Sequence, residues 1–486
     1  MYVLGVDFGG GASKATLLDK KGEVVATANA EYPTYYGDGG MAEQNPRDWY
    51  EAAVKNVRAV LSGVDPKDVE CLCFDAATHT AVLMDERGEP VCNSVYWTDT
   101  RSVGEKAWLD LHYGNEIFER CKHRVDTIWS LPEILFVKNN FPQNYAKVKK
   151  ITFAKDYVRG LFTGDFVTDH IEAQGSMLFD FDKRTWDDDF LSIIGMERSN
   201  MPAVVSPLDV VGTVCERAAR DTGLKVGTPV ICGATDTVME VFGAGAIKTG
   251  DMTVKLATAG RICVVTDAVY PDRNIINYSH LKDGLYYPGS ATKSCAASLR
   301  WLRDTFGGSF DEFSEIAGNI PAGADGLMFH PYLVGELTPL ADPNVRGSFT
   351  GISALHTKAH FARAVMEGVA LSLLDSKQYL EQKGVKVGDH ATIIGGGAKS
   401  AVWRQIVADA LGITLVQMET NDSSFGSAMC AGIAAGFFKD LDDACATCQK
   451  VVGITLPDKN NTEKYAKIFA RYKKVSKFLV EIANER

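Results

Sequence analysis

The sequence predicts an α/β protein made of two domains with a similar plan. At 486 residues the chain is longer than one hydrophobic core usually organises, so two or more domains are expected. Two β-rich apolar runs, far apart in the chain, stop at rows of three glycines, Gly9–Gly11 and Gly395–Gly397. The order of predicted elements is also repeated, because each half begins with a meander and a tight turn and continues with helices and strands.

The first half opens with a meander and a capped helix. Asn45 and Pro46 predict the start of this helix, since proline is favoured at the first helical position. Trp49, Ala53 and Val57 then recur at helical spacing. Strands are predicted over 2–7, 14–18, 23–28, 69–74 and 81–84, and helical patterns dominate about 101–222.

The second half begins after a boundary expected near residue 245, which gives domains 1–245 and 246–486. The predicted elements around and after this boundary are a strand over 228–232, a helix over 236–244, a hairpin of 252–257 and 261–265, a helix over 357–382, a strand over 391–394, a helix over 400–411, a strand over 413–417, and helices over 424–436 and 461–484.

Composition narrows the class of function. The net charge of −11, from 62 acidic and 51 basic residues, argues against nucleic-acid binding, which needs a basic face. The apolar stretch 428–438 is far shorter than the roughly 20 residues of a membrane span, so no membrane association is expected. Eleven scattered cysteines without a regular framework indicate reduced thiols, and the predicted location is the cytoplasm.

The two glycine turns indicate phosphate binding. Glycine lets backbone N–H groups approach a ligand closely, and successive N–H groups form a concavity that suits phosphate oxygens. Asp7 precedes the first turn, where it either shapes the turn or holds Mg²⁺ against phosphates. Two such turns far apart in the chain predict a nucleotide held between two lobes.

Three further sites each have a structural and a functional interpretation. Asp236 follows an apolar strand and is either a helix N-cap or a base that removes a proton from a hydroxyl. His79 is either a structural histidine or a ligand contact. Trp97, Asp99 and Arg101 form either a surface ion pair near a core tryptophan or a polyol site with one stacking surface and charged hydrogen-bond partners.

Longer blocks of sequence resemble the FGGY family of carbohydrate kinases and, within it, the xylulokinases. Residues 347–352 and 360–367 are similar to the family's C-terminal signature, and residues 394–405 to its adenosine motif. Residues 331–339 and 154–159 match two further blocks, in order along the chain. The resemblance implies a pair of ribonuclease-H-like domains of the actin/hexokinase type, with an interdomain cleft, a sugar-side N-terminal domain and a nucleotide-side C-terminal domain.

The resemblance also implies a role for each matching residue. Asp236 would be the catalytic base, and Asp7 would lie at the metal–phosphate site with Mg²⁺. The implied sugar-binding residues are Thr78, His79, Trp97, Asp99, Arg101, Asp236 and Thr237. The implied ATP-binding residues are Gly9, Gly10, Gly11, Lys14, Thr258, Gly260, Gly396, Gly397, Ala398 and Ser400.

The predicted activity is ATP-dependent phosphorylation of a small sugar or polyol at a terminal hydroxyl, with D-xylulose as the first candidate. Ribulose, a deoxy-ketose, gluconate, glycerol and erythritol are alternatives with the same chemistry. A different class, a sugar- or nucleotide-binding regulator, is suggested because Gly10, Gly11 and Ala259 stand where the family usually has hydroxyl residues. The resemblance also makes a homodimer an expected assembly.

Overall fold

The computed structural model describes residues 1–485, which divide into two compact units. The first unit consists of Met1–Ile247, Tyr278–Asp283 and Thr420–Gln449. The second unit consists of Lys248–Asn277, Gly284–Glu419 and the segment that begins at Lys450.

Residues 1–247 contribute fifteen strands and nine α-helices. The strands are β1 (Tyr2–Phe8), β2 (Ala12–Asp19), β3 (Val24–Glu31), β4 (Tyr35–Gly37), β5 (Met41–Gln44), β6 (Val69–Ala76), β7 (Ala81–Met84), β8 (Ser94–Val95), β9 (Lys150–Phe153), β10 (Thr168–Asp169), β11 (Phe179–Asp180), β12 (Thr185–Trp186), β13 (Val204–Val205), β14 (Val210–Thr213) and β15 (Pro229–Ile231). The helices are α1 (Pro46–Val60), α2 (Val103–Cys121), α3 (Ser130–Asn140), α4 (Pro142–Tyr145), α5 (Ala154–Thr163), α6 (His170–Gly175), α7 (Asp188–Ile194), α8 (Glu216–Thr222) and α9 (Asp236–Gly243).

The remaining elements follow in chain order. The strands are β16 (Met252–Leu256), β17 (Gly260–Val264), β18 (Gly289–Thr292), β19 (Met328–His330), β20 (Ser348–Thr350), β21 (His390–Ile394), β22 (Thr414–Met418) and β23 (Val451–Thr455). The helices are α10 (Ala296–Phe306), α11 (Phe310–Gly318), α12 (Lys358–Gln382), α13 (Ala401–Leu411), α14 (Ser423–Ala434), α15 (Leu441–Cys448) and α16 (Lys459–Ala483).

Each unit contains a six-stranded sheet, and the two sheets share the same spatial pattern of strand directions; they differ in connectivity only at one edge, because β14 precedes its neighbour β15 in the chain whereas β23 follows β22. In the first unit the order is β14-β15-β6-β1-β2-β3, with an antiparallel meander β1-β2-β3 and parallel pairs β1/β6 and β6/β15. In the second unit the order is β18-β17-β16-β21-β22-β23, with meander β16-β17-β18 and parallel pairs β16/β21 and β21/β22. An antiparallel edge strand, β14 or β23, completes each sheet. The α/β class and the repeated plan that the sequence predicted are therefore confirmed.

Local sequence explains where several elements begin. The Asn45 side chain accepts a hydrogen bond from the Arg47 backbone N–H at 3.1 Å, and Pro46 is the first residue of α1, as predicted. Each unit then has its own hydrophobic core beneath its sheet, with buried Trp49, Phe74 and Phe162 in the first and buried Trp403 in the second. Burial of these large side chains is the main stabilising contribution within each unit.

Helix α14 packs tightly in the first unit although it lies far along the chain. A Cβ on Gly5 of β1 would overlap the carbonyl oxygen of Ser424, and a Cβ on Gly426 would overlap that of Met239 on α9. Only glycine allows backbones to approach so closely. These contacts fix the N-terminal end of α14, which carries Asp422 as its N-cap, against β1.

No helix within residues 1–485 combines the length and the apolar character that crossing a bilayer requires.

Candidate active site

Two aspartates lie side by side where the central parallel strands of the first unit end. Asp7 on β1 is the register partner of Asp75 on β6, and Asp75 is fully buried. The Ser427 hydroxyl of α14 donates to Oδ2 of Asp75 at 2.5 Å. Oδ1 of each aspartate is buried and has no hydrogen-bond partner within residues 1–485. The sequence singled out Asp7 and missed Asp75.

Proximity and burial change the protonation of this pair. Burial raises the pKa of Asp7 to about 7; a hydrogen bond with Asp75 opposes the rise, and the charges of Asp236 and Asp422 add to it. Burial, and next the charge of Asp7, raise the pKa of Asp75 well above its usual range. Two carboxylates so close cannot both be ionised at low cost, so the pair keeps a proton near neutral pH unless a cation compensates it.

Asp236 lies beside this pair at the start of α9. The N-cap of α9 is Thr235, which bridges in parallel to Ala76 at the end of β6, so Asp236 is the first helical residue and not the cap. Its Oδ1 accepts hydrogen bonds from the hydroxyls of Thr78 and Thr237, each at 3.2 Å. The structure therefore brings together three of the predicted substrate residues.

His79 follows Thr78 and lies among aromatic rings of the first unit. Its ring centroid is 4.8 Å from that of Trp129, which stacks on His123 at 4.4 Å. The ring of Tyr278 lies 5.3 Å from that of His123. Burial, with a smaller contribution from His123, lowers the pKa of His79 to about 3. The imidazole is therefore neutral at physiological pH.

Trp97, Asp99 and Arg101 form a second polar group in the same unit. Arg101 binds Glu43 at 2.6 Å and Asp99 at 2.7 Å, and the Asp99 carboxylate also accepts from the Ala42 backbone N–H at 2.8 Å. Trp97 is 41% exposed. Arg101 therefore joins the carboxylates of Glu43 and Asp99 and ties this loop to β5. Because Asp99 is buried and Trp97 is exposed, the motif is not a surface ion pair near a core tryptophan, and its role in sugar binding stays a prediction.

The first glycine turn is fixed through its carbonyl groups. The Gly10 carbonyl accepts from the Thr34 hydroxyl at 2.8 Å, and Tyr32 donates its backbone N–H to the Gly11 carbonyl at 3.1 Å. Lys14, on the returning strand, donates to Asp422 at 2.6 Å. Its ammonium group thus already pairs with the N-cap carboxylate of α14.

In the second unit, Thr258 and Gly260 belong to the tight turn between β16 and β17. The Thr258 carbonyl accepts from the Cys295 backbone N–H at 3.0 Å, which brings the start of α10 against the turn. A Cβ on Gly260 would lie only 2.8 Å from the Thr292 methyl carbon. Gly260 therefore has a packing requirement of its own, independent of any ligand.

The second glycine turn follows β21 and is shaped by packing at two of its glycines. Gly395 has φ 89°, and a Cβ on Gly397 would lie 2.9 Å from both Leu256 and Trp403. Gly396 is different, since nothing lies within 4 Å of the position of a Cβ. Ser400 caps α13 by accepting from the Trp403 backbone N–H at 3.1 Å.

Comparison with known proteins identifies the family of this chain. Residues 2–243 match the N-terminal domain of the FGGY family of carbohydrate kinases, and residues 263–435 match the C-terminal domain. The chain belongs to the FGGY family of carbohydrate kinases. It is 31% identical to a xylulose kinase of Bacillus subtilis, over 98% of this chain and 96% of that protein. It is 30% identical to a gluconokinase of the same organism, over 98% and 96%.

Solved structures of FGGY kinases show the same fold. A ligand-bound xylulose kinase from Lactobacillus acidophilus superposes with a TM-score of 0.92 at 25% identity and covers 98% of both chains. A gluconate kinase from that organism also gives 0.92 at 25% identity, over 99% of this chain and 98% of the other. The chain is therefore a carbohydrate kinase that uses ATP, and the regulator that the sequence left open as a different class is not favoured.

Several residues of this FGGY kinase site were not found by sequence reasoning. Asp75 stands at the end of an apolar strand, as Asp7 does, and this shared position was a usable signal. Trp129, His123 and Tyr278 surround His79 only through folding, and Asp422 reaches Lys14 across 408 residues of chain. No local pattern marks contacts of that kind.

Proposed function

We propose that this FGGY kinase phosphorylates D-xylulose at a terminal hydroxyl, with Asp236 as the general base. The observation that carries the proposal is the neutral, aromatic surrounding of His79, next to Thr78 and the Asp236 carboxylate. A flat ring surface with a few hydrogen-bonding groups suits an uncharged polyhydroxy ketone. The names of the xylulose kinase relatives support the same sugar.

D-xylulose and gluconate, the second candidate substrate that the gluconokinase relatives suggest, differ in charge. Gluconate carries a carboxylate that a binding site would meet with a cation. The imidazole of His79 is neutral, because burial lowers its pKa to about 3. Lys155, a fully buried cation of the same unit, is already paired with Asp156 and with Asp169 at 2.8 Å. These observations favour an uncharged sugar.

In the proposed reaction, the terminal hydroxyl of the sugar attacks the γ-phosphorus of ATP. A new O–P bond forms, the bond to the β-phosphate oxygen breaks, ADP leaves, and the hydroxyl proton passes to Asp236. The hydroxyls of Thr78 and Thr237 orient the Asp236 carboxylate toward the sugar. Hydrogen bonds from two neutral donors hold the carboxylate in place without cancelling its charge.

The Asp7–Asp75 pair fits a Mg²⁺ ion. Its two buried Oδ1 atoms have no hydrogen-bond partner within residues 1–485, and Mg²⁺ is usually held by one or two carboxylates together with waters and phosphates. No group of three or more histidine, cysteine, aspartate or glutamate ligands occurs in the part of the chain that the structure describes, which agrees with a site that relies on phosphate and water. When bound, Mg²⁺ would neutralise charge on the transferring phosphates.

For the nucleotide, we propose that Gly396 contacts the adenosine. Its open surroundings support this role, because a ligand can approach the backbone there. In the carbonyl-anchored first turn, the Gly9 N–H already donates to the Ala12 carbonyl at 3.0 Å, so the N–H groups of Gly10 and Gly11 are proposed to meet phosphate oxygens. Lys14 would contribute to phosphate binding only by exchanging its ion pair with Asp422.

A cytoplasmic location and a homodimer belong to the same proposal. All eleven cysteines are free thiols in the structure, which supports a reducing compartment. The dimer remains a prediction, and light scattering of the purified protein at several concentrations tests it.

A substrate panel tests the proposed function. ADP release is measured with ATP, Mg²⁺ and D-xylulose, D-ribulose, a deoxy-ketose, D-gluconate, glycerol or erythritol. We expect kcat/KM for D-xylulose to exceed that for gluconate by at least about tenfold, which corresponds to about 1.4 kcal/mol of discrimination. Faster turnover of gluconate than of D-xylulose would overturn the substrate assignment.

A further inference from the structure

The backbone of His79 has an unusual conformation. Its φ is 52°, in the left-handed region that residues other than glycine seldom adopt. Such a residue persists only where its surroundings hold it. In a kinase site this conformation decides the direction of the side chain, because the ring of His79 leaves the turn toward Trp129.

Two buried side chains bind the backbone N–H and the backbone carbonyl of His79. The Glu172 carboxyl on α6 accepts a hydrogen bond from the His79 backbone N–H, and the Ser130 hydroxyl at the start of α3 donates to the His79 carbonyl. Glu172 is 1% exposed and Ser130 is fully buried. The peptide groups before and after the His79 Cα are thus each fixed by a side chain, from separate helices.

Glu172 is itself rigidly held. Asp169 caps α6 by accepting from the backbone N–H groups of Ile171 at 2.8 Å and Glu172 at 3.1 Å. Lys155, fully buried, pairs with Asp169 at 2.8 Å. The helix that carries Glu172 is therefore anchored at its first turn. Because the Glu172 carboxyl accepts from the His79 backbone N–H, the position of this helix sets the position of the His79 backbone.

Gly175 controls the ring of the same histidine. Glu172 and Gly175 are three residues apart and lie on one face of α6. A Cβ on Gly175 would overlap Cδ2 of the His79 imidazole and would lie 3.0 Å from the Tyr278 hydroxyl. One face of α6 therefore supports the backbone of His79 through Glu172 and leaves room for its ring through Gly175.

We propose that Glu172 is a positioning residue for sugar binding, which fixes the His79 turn so that the imidazole meets the sugar and Thr78 meets Asp236. The proposal rests on the proposed function, in which His79 contacts the sugar. Glu172 acts through His79 and need not touch the substrate. Gly175 is the steric partner of Glu172 in this device.

Variants of Glu172 test the proposal directly. Burial raises the pKa of Glu172 well above its usual range, so the neutral amide of glutamine is a close replacement that keeps a hydrogen-bond acceptor. We expect Glu172→Ala to raise KM for the sugar about tenfold or more while KM for ATP stays within about twofold. We expect Glu172→Gln to restore KM for the sugar to within about threefold of the parent protein.

Gly175→Ala provides an independent test, with Gly104→Ala as its matched control. Both glycines are helical, but nothing lies within 4 Å of a Cβ on Gly104. We expect Gly175→Ala to lower kcat/KM for the sugar at least about tenfold through displacement of the imidazole, with KM for ATP unchanged. Gly104→Ala should match the parent protein in every kinetic constant.

The readouts separate a positioning role from a general loss of stability. A destabilised enzyme loses active protein, which lowers the maximal rate without changing KM for one substrate alone. An unchanged sugar KM in Glu172→Ala, or equal rises in KM for the sugar and ATP, would refute the positioning role.

All variants are assayed with the sugar that the wild-type panel identifies, so a wrong substrate assignment is seen in the wild type. If His79→Ala leaves sugar KM unchanged, the proposed sugar site fails instead.

Discussion

Replacing Asp236 by asparagine tests the proposed chemistry most directly. The amide keeps an Oδ1 atom that can accept the two hydroxyl hydrogen bonds from Thr78 and Thr237, each 3.2 Å long in the native site. It removes the basic oxygen that would take the proton from the sugar hydroxyl. The substitution therefore isolates proton transfer from the local architecture.

The size of the effect follows from these two facts. A hydrogen bond to a charged carboxylate contributes about 1.5–3 kcal/mol and one to a neutral amide about 1 kcal/mol, so keeping both hydroxyl bonds in neutral form should change the free energy of unfolding by about 1–4 kcal/mol. A general base contributes about 10²–10⁴-fold to the rate, which raises the activation barrier by about 3–5 kcal/mol when it is lost. We expect kcat of Asp236→Asn to fall by this factor, with sugar and ATP affinities within about threefold of wild type.

Coupled measurement of ADP release gives kcat, and calorimetry gives the binding of sugar and ATP. Asp221→Asn is a matched control, because Asp221 also accepts a hydroxyl hydrogen bond in the first unit, from Tyr50 at 2.7 Å, yet has no proposed role in the reaction. Turnover of Asp236→Asn within tenfold of the control would show that another group removes the proton.

Three further predictions concern the glycines and His79. Gly11→Ser should lower KM for ATP about fivefold, because a Cβ there is 3.9 Å from the Tyr32 carbonyl oxygen and the new hydroxyl adds one phosphate contact. Gly5→Ala should lower the free energy of unfolding by about 3 kcal/mol in urea titrations, since its Cβ overlaps the Ser424 carbonyl. His79 keeps its neutral form because its pKa is lowered to about 3 from 6.5, so lowering the pH from about 7.5 to about 5.5 should cost about 1.4 kcal/mol of stability through this residue.

The predictions for Gly5 and His79 each have a control. Gly63→Ala, with nothing within 4 Å of its Cβ, should leave stability within about 0.5 kcal/mol of wild type. His79→Gln should remove its share of the loss of stability between pH 7.5 and 5.5, since the unfolded chain then has no imidazole to protonate at this position. An unaltered pH dependence in that variant, or an unchanged ATP KM in Gly11→Ser, would contradict the respective argument.

Much of the fold was predictable because hydrophobic residues recur with the period of a strand or of a helix in many segments. The strand ending at Asp7, the helix starting at Pro46 and the long helix α12 were all predicted within a few residues of their bounds. Strand β23 and helices α10 and α11 were not predicted. Strand β23 exposes three of its five residues, so its sequence lacks the buried face on which strand prediction depends.

The candidate site was predicted in its chain-local parts. Asp236 and His79 were singled out from their positions after strands, and their neighbours Thr237 and Thr78 were added by the family resemblance. The structure excludes the cap interpretation of Asp236, because Thr235 is the N-cap, and the role of Asp236 as a base stays a prediction. The buried ion pairs of Arg101 with Asp99 and Glu43 likewise could not be predicted in full, because Glu43 joins the other two only in the folded chain.

By itself the sequence determined the α/β class, the two glycine turns, the family resemblance and the carboxylates at Asp7 and Asp236. All of these features depend on residues that are adjacent or regularly spaced along the chain. Only the tertiary structure placed Asp75 opposite Asp7, Glu172 against the His79 peptide, and the segment Thr420–Gln449 in the first unit. The physical reason is that strand register, helix docking and buried hydrogen bonds join residues far apart in the chain, and spacing along the sequence carries no record of them.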